Sequence, residues 1–538
     1  RAAYAALLAG RAQPQRYREA PIVIVLDIGS SSVRASCFAL VSSRTAGAEW
    51  VLLDGSMQQQ HADAIDEHGE ADACRLEATA EKLLDGALEF LRVTGLADRV
   101  VGVGFSTFAM NVLGIDDKAW GEPVTPVYTY AGRRPGAAAC ARQLRDTLVN
   151  RGALDDFHDR TGTVIHPAYA PATFLRLHHE APSEVERVFK WQSISGYLIG
   201  KWTTAASRGR GCLPISYSEA SWMGLLDFRH ARWDLPLLEM VRMDAEKMPP
   251  VADSSVPFAG LKPAFSRRWP ELQNVPFFLG VGDGAAANIG SKCLDPSRIA
   301  VTIGTSAALR VVLDVETMNS TKVPKGLWCY RIGKERVLLG GALSDGGSVY
   351  QFFRNVLNLS DEQLGEQLEK LRPTQHGLTV LPFLSGERAP GWVEDATCAI
   401  TGISKWTSPI QFLRAGMESV ALRIGVVLAL VASHAEPNAT IVASGTALAK
   451  SRVWRQMLAD CAGKDLVLET GATETTSRGI AALVGSYLGL HSLEATGTFD
   501  EDTAGLECLQ PNVAAHAAYL EARHAQESLY QKLYASDD

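Results

Sequence analysis

The chain predicts a duplicated α/β fold, and two strand–turn–strand units carry that prediction. The first runs through Ile22 to Asp27, turns at Gly29-Ser30-Ser31-Ser32 and resumes from Val33 to Val41. The second runs from Arg298 to Ile303, turns at Gly304-Thr305-Ser306 and resumes from Ala307 to Val315. Each pairs β-branched apolar runs across small hydroxyl residues, which is how a tight hairpin is written. A similar order of further strands and a helix follows each unit, about 275 positions apart, as an internal repeat would place them.

The elements follow in order. A third strand is expected from Trp50 to Ser56. Asp72 to Val93 sets Leu76, Ala80, Leu83, Leu84, Ala87, Leu88 and Leu91 on one helical face, and Asp98 to Ser106 returns to strand. Residues 116 to 275 hold several Trp, Pro and Arg with few clean periods, and read as insertions that shape a substrate pocket. In the second half Arg336 to Ala342 is a strand, and a helix begins at Asp345. Ser408 to Ala432 is a long helix, Ala439 to Ser444 a buried strand, and Ala447 to Ala462 and Thr473 to Leu488 are helices. From Val513 onward a peripheral helix is expected. The domain boundaries drawn are 1–21 for an extension, 22–292 for the first domain and 293–538 for the second.

Composition narrows the function classes. The 538 residues are 46% hydrophobic, and 52 basic against 60 acidic side chains leave a net charge of −8. That balance offers no electrostatic footprint for nucleic acid or an anionic membrane. The most apolar stretches, Pro21 to Leu26 and Gly425 to Ala432, fall short of the roughly 20 residues a span requires. A soluble protein is expected. The nine cysteines are scattered without a C-x-x-C pair, which points away from a disulfide framework or zinc site and toward a reducing compartment. Residues 1 to 18 carry four Arg and no acid. They read equally as a trimmed targeting segment or an arbitrary start, so the expected location is the cytoplasm, or an organelle interior under the first reading.

Five segments are candidates for chemistry. In Asp27-Ile28-Gly29-Ser30-Ser31-Ser32-Val33-Arg34, a Gly/Ser tip brings backbone N–H groups to a phosphate while Asp27 reaches a metal through water; an ordinary turn is the plain alternative. Thr302-Ile303-Gly304-Thr305-Ser306 repeats the device. In Gly280-Val281-Gly282-Asp283-Gly284-Ala285-Ala286-Ala287, Asp283 is either a helix cap or a general base for a substrate hydroxyl. A dinucleotide reading of its G-x-G-x-x-A spacing fails, because Ile303-Gly304-Thr305 stands where an acid is needed. Ala443-Ser444-Gly445-Thr446 is a turn small enough for a nucleobase or ribose to approach. Ser385-Gly386-Glu387-Arg388-Ala389-Pro390-Gly391-Trp392 holds a Glu-Arg pair that reads first as a structural salt bridge.

Taken in this order, these segments make the chain resemble the FGGY family of carbohydrate kinases from Ile22 to Leu490. Gly402-Ile403, Gln411-Phe412, Ala415 and Met417-Glu418 are similar to that family's C-terminal signature. The resemblance implies two actin-like, ribonuclease-H-like domains around a central cleft, the first binding sugar and the second nucleotide. It implies ATP and Mg2+ as cofactors, and a small sugar or sugar acid as substrate. A homodimer is compatible with it. By the match, Gly29, Ser30, Ser31 and Arg34, together with Gly304, Thr305 and Ser306, hold phosphates. Gly445 and Thr446 hold adenosine, Phe108, Ala109 and Met110 line the substrate, and Asp283 is the base, sharing the metal with Asp27.

Within the family, Ser106 to Asp116, Thr161-Gly162, His166 to Tyr169 and Gly386 to Trp392 resemble gluconate kinases, and the Gln-Met-His-Gly of typical xylulose kinases is lacking. Gluconate is therefore the expected acceptor, with xylulose or ribulose next; an inactive scaffold subunit is the reading from another class. The chain departs from the family pattern at Gly132, where an acid is usual, at Thr173, where Lys is usual, and at Arg176, an aromatic position. Thr446 replaces a common Gly. These departures bear on substrate and nucleotide preference more than on phosphoryl transfer.

Overall fold

The computed structural model describes residues 17–43, 47–61, 65–116, 121–132, 134–205, 213–359, 364–469, 474–494 and 507–534. Most of the Arg-rich start lies outside the described residues.

Strands β1 (Ile22–Ile28) and β2 (Ser32–Ser43) form the first hairpin, in antiparallel register from Ile22 against Ala39 to Ile28 against Val33. The third strand arrives in two pieces, β3 (Gly47–Leu52) and β4 (Gln58–His61), both paired with β2. The expected run to Ser56 is interrupted because the chain turns at Gly55, whose φ is +80°. Helix α1 (Ala73–Thr94) begins where the Asp72 side chain accepts from Arg75 N and ends at Gly95 in the left-handed region. It buries the stripe from Leu76 to Leu91 that its spacing marks. β5 (Val100–Thr107) then lies parallel to β1.

Residues 116 to 275 are more regular than their sequence suggests. Helices occupy Pro135–Asn150, Leu154–Thr161 and Ala170–Glu180, followed by α2 (Ile194–Trp202) and α3 (Tyr217–Trp222). Several are short and start at a proline or serine, so no long amphipathic period announces them. The chain returns to the first sheet through β6 (Phe277–Phe278) and β7 (Val281–Gly282), both parallel to β5, and enters α4 (Asp283–Gly290).

The second half repeats the hairpin as β8 (Arg298–Ile303) and β9 (Ala307–Asp314), followed by β10 (Trp328–Arg331), β11 (Arg336–Leu343) and α5 (Gly347–Val356). Then come α6 (Pro409–Val431), β12 (Thr440–Ser444), α7 (Arg452–Ala462), β13 (Leu466–Leu468), α8 (Thr475–Tyr487), β14 (Cys508–Leu509) and α9 (Val513–Tyr534). The sheet order is β10-β11-β9-β8-β12-β13-β14. In the first sheet β6-β5-β1-β2-β3 are neighbours. Each sheet thus flanks the hairpin's first strand with its antiparallel partner on one side and a parallel strand on the other. The duplication is one of topology as well as of pattern.

All seven residues of β1 are buried, as a central strand covered on both faces requires. One cover is α1. The other is α8, which comes from the far end of the chain. A Cβ built on Gly104 would stand 2.5 Å from Ile480, so the bare backbone is what lets the helix approach. α8 also lies against α4, where a Cβ on Gly479 would meet the Ala286 carbonyl. The helix carrying Asp283 is therefore wedged between the two halves.

Two expectations are corrected. The helix expected from Ala447 to Ala462 is broken into Thr446–Lys450 and α7 at Ser451, whose side chain accepts from Trp454 N and starts the second piece. α9 is not merely peripheral, since it buries Tyr519, Gln526 and Tyr530 against the second half. Among the described residues no helix is long and apolar enough to cross a membrane.

Candidate active site

Five elements converge on one corner. β1 supplies Asp27, 5% exposed, whose carboxylate accepts from Arg34 Nη1 of β2 at 3.3 Å. The residue before α8 supplies Glu474, 3.6 Å from the same guanidinium. α4 supplies Asp283, and β9 supplies Arg310.

Burial pushes the Asp27 carboxyl up to about 6; Arg34 pulls it down, while Asp283 and Glu474 push it further up. Asp283 is likewise raised by burial, opposed by Arg310 and by the Gly284 N–H, which donates to its Oδ1 at 2.7 Å. The cap reading is not met: Gly282 is the N-cap residue, and Asp283 stands first in the helix with its carboxylate accepting from the neighbouring N–H. Glu474 Oε2 is buried without a hydrogen-bond partner. Three carboxylates face Arg34 and Arg310, so the corner suits an added cation. Among the described residues no three His, Cys, Asp or Glu side chains are close enough to cage a metal unaided. A cation here would complete its shell with water and substrate oxygens, as Mg2+ commonly does.

The two hairpin tips are built alike. Gly29 N–H donates to the Ser32 carbonyl at 3.0 Å, and Gly304 N–H to the Ser306 carbonyl at 2.9 Å. Ser31, Thr305 and Ser306 are exposed, while Ser30 bonds the Tyr130 hydroxyl at 3.0 Å. The second tip is braced from behind: Gly346 N–H reaches the Thr305 carbonyl at 2.9 Å and Gly347 N–H the Gly304 carbonyl at 2.7 Å. Thr302 stands where Asp27 stands in the first hairpin, and it bonds the Ser444 hydroxyl at 2.9 Å. Gly445 follows with φ +94°, where a Cβ would collide with the Ile303 carbonyl, and Thr446 is exposed beside it.

Other expected site residues fall differently. Phe108 and Met110 are 2% and 1% exposed and bury their side chains in the core, so only Ala109 of that trio borders open space. Glu387 does not pair with its neighbour Arg388. Its partner is Arg423 of α6, and Tyr530 donates to it at 2.7 Å, which makes the carboxylate a structural anchor. Arg388 instead lies near His166 and Tyr169; burial, with Arg388 and Arg145 nearby, holds His166 down to about 3 and neutral. Arg176 bonds Glu180 at 2.9 Å and reaches Glu70 at 3.5 Å, and Glu70 also binds Arg134 through both oxygens at 2.6 and 2.8 Å. The partner of Arg134 thus comes from a distant strand.

Besides Glu474, three residues near the site go unmarked by the sequence motifs. Trp222 packs where Cβ atoms on Gly282 and Gly284 would collide with its ring, and it stacks on Tyr330 at 4.4 Å. Glu219 is a buried carboxylate accepting from Thr107, Ser193 and Ser195 at 3.1, 2.9 and 2.7 Å. Arg310 interrupts an otherwise apolar strand, and that interruption is the signal that marks it.

Comparison with known proteins identifies the family. Residues 22–290 match the N-terminal domain, and residues 299–487 the C-terminal domain, of the FGGY family of carbohydrate kinases. The gluconokinase of Bacillus licheniformis is 26% identical over 412 residues, spanning 74% of this chain and 75% of that protein. The glycerol kinase of Dechloromonas aromatica is 27% identical over 493 residues, spanning 89% and 91%. The crystal structures of a gluconate kinase and of a ligand-bound xylulose kinase, both from Lactobacillus acidophilus, each superpose with a TM-score of 0.80 at 21% identity, over 96% of this chain and 99% of theirs. With two domain matches covering most of its length, the chain belongs to the FGGY family of carbohydrate kinases.

Proposed function

We propose that this kinase phosphorylates the terminal hydroxyl of a small sugar acid, gluconate first, with magnesium ATP as donor. The observation that carries the reading is the corner where Asp27, Asp283 and Glu474 meet Arg34 and Arg310 between two hydroxyl-tipped hairpins. Phosphoryl transfer asks a protein chiefly to align two reactants and to neutralise charge where water is excluded. Magnesium, when bound, supplies part of that neutralisation.

The chain's own residues do the rest. The Gly29 to Ser31 and Gly304 to Ser306 tips cradle phosphate oxygens, and Arg34 adds a fixed positive charge. Asp27 would help to hold the metal. Gly445 and Thr446 make room for adenosine. Asp283 takes the proton from the acceptor hydroxyl as it attacks, and the nearby Arg310 helps to keep that buried carboxylate ionised. Domain closure over the cleft would exclude water and limit wasteful hydrolysis. In this scheme residues 22–292 carry acceptor and base, residues 293–538 carry the nucleotide, and the protein works in a reducing compartment such as the cytoplasm.

A ketose such as xylulose is the second reading, favoured by the equal superposition on the xylulose kinase. Coupled measurement of ADP release with gluconate, xylulose, ribulose and glycerol decides between them. Gluconate should give the highest kcat/KM. A ketose winning by about tenfold, roughly 1.4 kcal/mol in barrier, would overturn the assignment.

A further inference from the structure

We propose that Arg310 is the residue that reads the carboxylate of the acceptor, so that the enzyme selects a sugar acid over its neutral counterpart; this rests on the kinase reading above. On β9, Arg310 stands opposite Ala300 of β8 on one side and Gly340 of β11 on the other. From there its side chain crosses to the other half of the molecule. A Cβ built on Gly284 would stand 3.2 Å from Arg310 Nε and 2.9 Å from the Trp222 ring. Arg310, Trp222 and the base Asp283 therefore share one corner.

The guanidinium is poorly satisfied there. Nε is buried without a hydrogen-bond partner, and Nη1 reaches only the Thr302 hydroxyl, at 3.4 Å. Among the described residues no carboxylate lies within ion-pair distance of it. Burial draws the Arg310 pKa down from its ordinary value, with Asp283 acting in the opposite sense. A guanidinium remains charged in proteins, so a buried one lacking partners is a standing energetic cost. A planar anion with two oxygens removes that cost by bonding two N–H groups at once.

The surroundings favour an anion on the acceptor over one on the donor. Arg34 and the two hairpin tips already serve the phosphates. Arg310 instead borders the buried aromatic stack of Trp222, Tyr330 and Trp328, spaced at 4.4 and 4.7 Å, an apolar neighbourhood with no group to serve a donor phosphate. A carboxylated polyol with its hydroxyl at Asp283 would bring its anionic end to the neighbouring Arg310.

Gluconate and gluconamide share a carbon chain and differ in terminal charge, which makes them the test pair. The kcat/KM ratio of gluconate to gluconamide is measured for the wild type and for Arg310→Met and Arg310→Lys, with melting curves as the folding check. The ratio should exceed one in the wild type and fall about 10- to 100-fold in Arg310→Met, the scale of a lost charge-assisted hydrogen bond. Arg310→Lys should give an intermediate ratio; where Arg310→Met does not fold, a fall of threefold or more in Arg310→Lys is the supporting result. A ratio that stays within twofold of wild type overturns the proposal, whether both activities drop together, as for a residue serving the phosphoryl group, or neither does. Calorimetric titration with gluconate separates the two readings. Binding by the wild type that is lost in Arg310→Met, with no phosphorylated product, keeps the carboxylate site and removes gluconate kinase activity. Gluconate phosphorylation with an unmoved ratio does the reverse. A wild type that neither binds nor phosphorylates gluconate overturns both.

Discussion

Glu219 and Gly280 are joined through both polar groups of the glycine backbone. Gly280 N–H donates to Ser195 Oγ at 2.9 Å, and Ser195 donates to Glu219 at 2.7 Å. On the other side Glu219 N–H donates to Ser216 Oγ at 3.0 Å, and Ser216 donates to the Gly280 carbonyl at 2.6 Å. The ring closes three residues before Asp283, so it fixes the strand that delivers the base.

Gly280→Ala tests that ring. The new Cβ would stand 2.8 Å from Glu219 Oε1 and 2.9 Å from Ser195 Oγ, both fully buried, so neither can withdraw into water. Overpacking of this kind costs about 1–3 kcal/mol. The expected result is a lowered Tm together with a kcat that falls more than the KM for ATP rises. An unchanged kcat would show that the ring serves the fold alone.

Asp283→Ala should abolish sugar phosphorylation, by about 100- to 10,000-fold if its role is that of a general base. ATP binding should persist, because the hairpin tips are untouched. The melting temperature should change little, since the substitution removes a buried charge as well as the bond from Gly284 N–H. Near wild-type turnover would take Asp283 out of the mechanism.

Asp27 gives a pH prediction with a definite sign. Its folded pKa, about 6, lies above the ordinary 3.8, so the folded state binds its proton more tightly than the unfolded chain does. The stability contributed by this group is therefore complete below about 3.8 and is lost as pH rises through 6. In the ligand-free protein, Asp27→Asn should raise Tm relative to wild type at pH 8 and give no such gain at pH 4. Activity runs the other way, because a protonated Asp27 cannot hold a cation. Wild-type kcat/KM for the donor should fall as pH drops through about 6. A profile flat from pH 5 to 8 would remove Asp27 from metal binding.

How much of this was legible in the sequence depended on how local the cause was. The hairpins, Asp27 and Asp283 were readable because strand period and turn chemistry are written within a few residues. Glu474 was not, since its partner Arg34 lies at the opposite end of the chain and only the docking of α8 on the first sheet brings them together. Glu219 was hidden in the serine-rich strip Ser216 to Ser221, whose hydroxyls read as turn residues until the fold turned them inward. β10 went unread because Trp328 to Arg331 is too short to show a period. Phe108 and Met110 looked like pocket residues by resemblance, yet their own apolarity sends their side chains to the core.

The pair Glu387 and Arg423 gives the sharpest stability test. Both are nearly inaccessible, at 3% and 1%, and Tyr530 of α9 donates to the same carboxylate at 2.7 Å. The Arg423 guanidinium also lies over the rings of Phe383 and Tyr530, at 5.4 and 5.0 Å. Burial raises the Glu387 carboxyl, and Arg423 and Tyr530 draw it back, so the three groups depend on one another. Glu387→Gln leaves the buried guanidinium with only the exposed Glu527, at 3.5 Å, as counter-charge and should cost about 3–5 kcal/mol. Tyr530→Phe removes one hydrogen bond to a charged group and should cost about 1.5–3 kcal/mol. Replacing both ions, as Glu387→Leu with Arg423→Met, should recover much of the loss of the single variants, because no buried charge is left unpaired. A double variant no more stable than Glu387→Gln would mean that the pair is held in place by packing around α9, with electrostatics secondary.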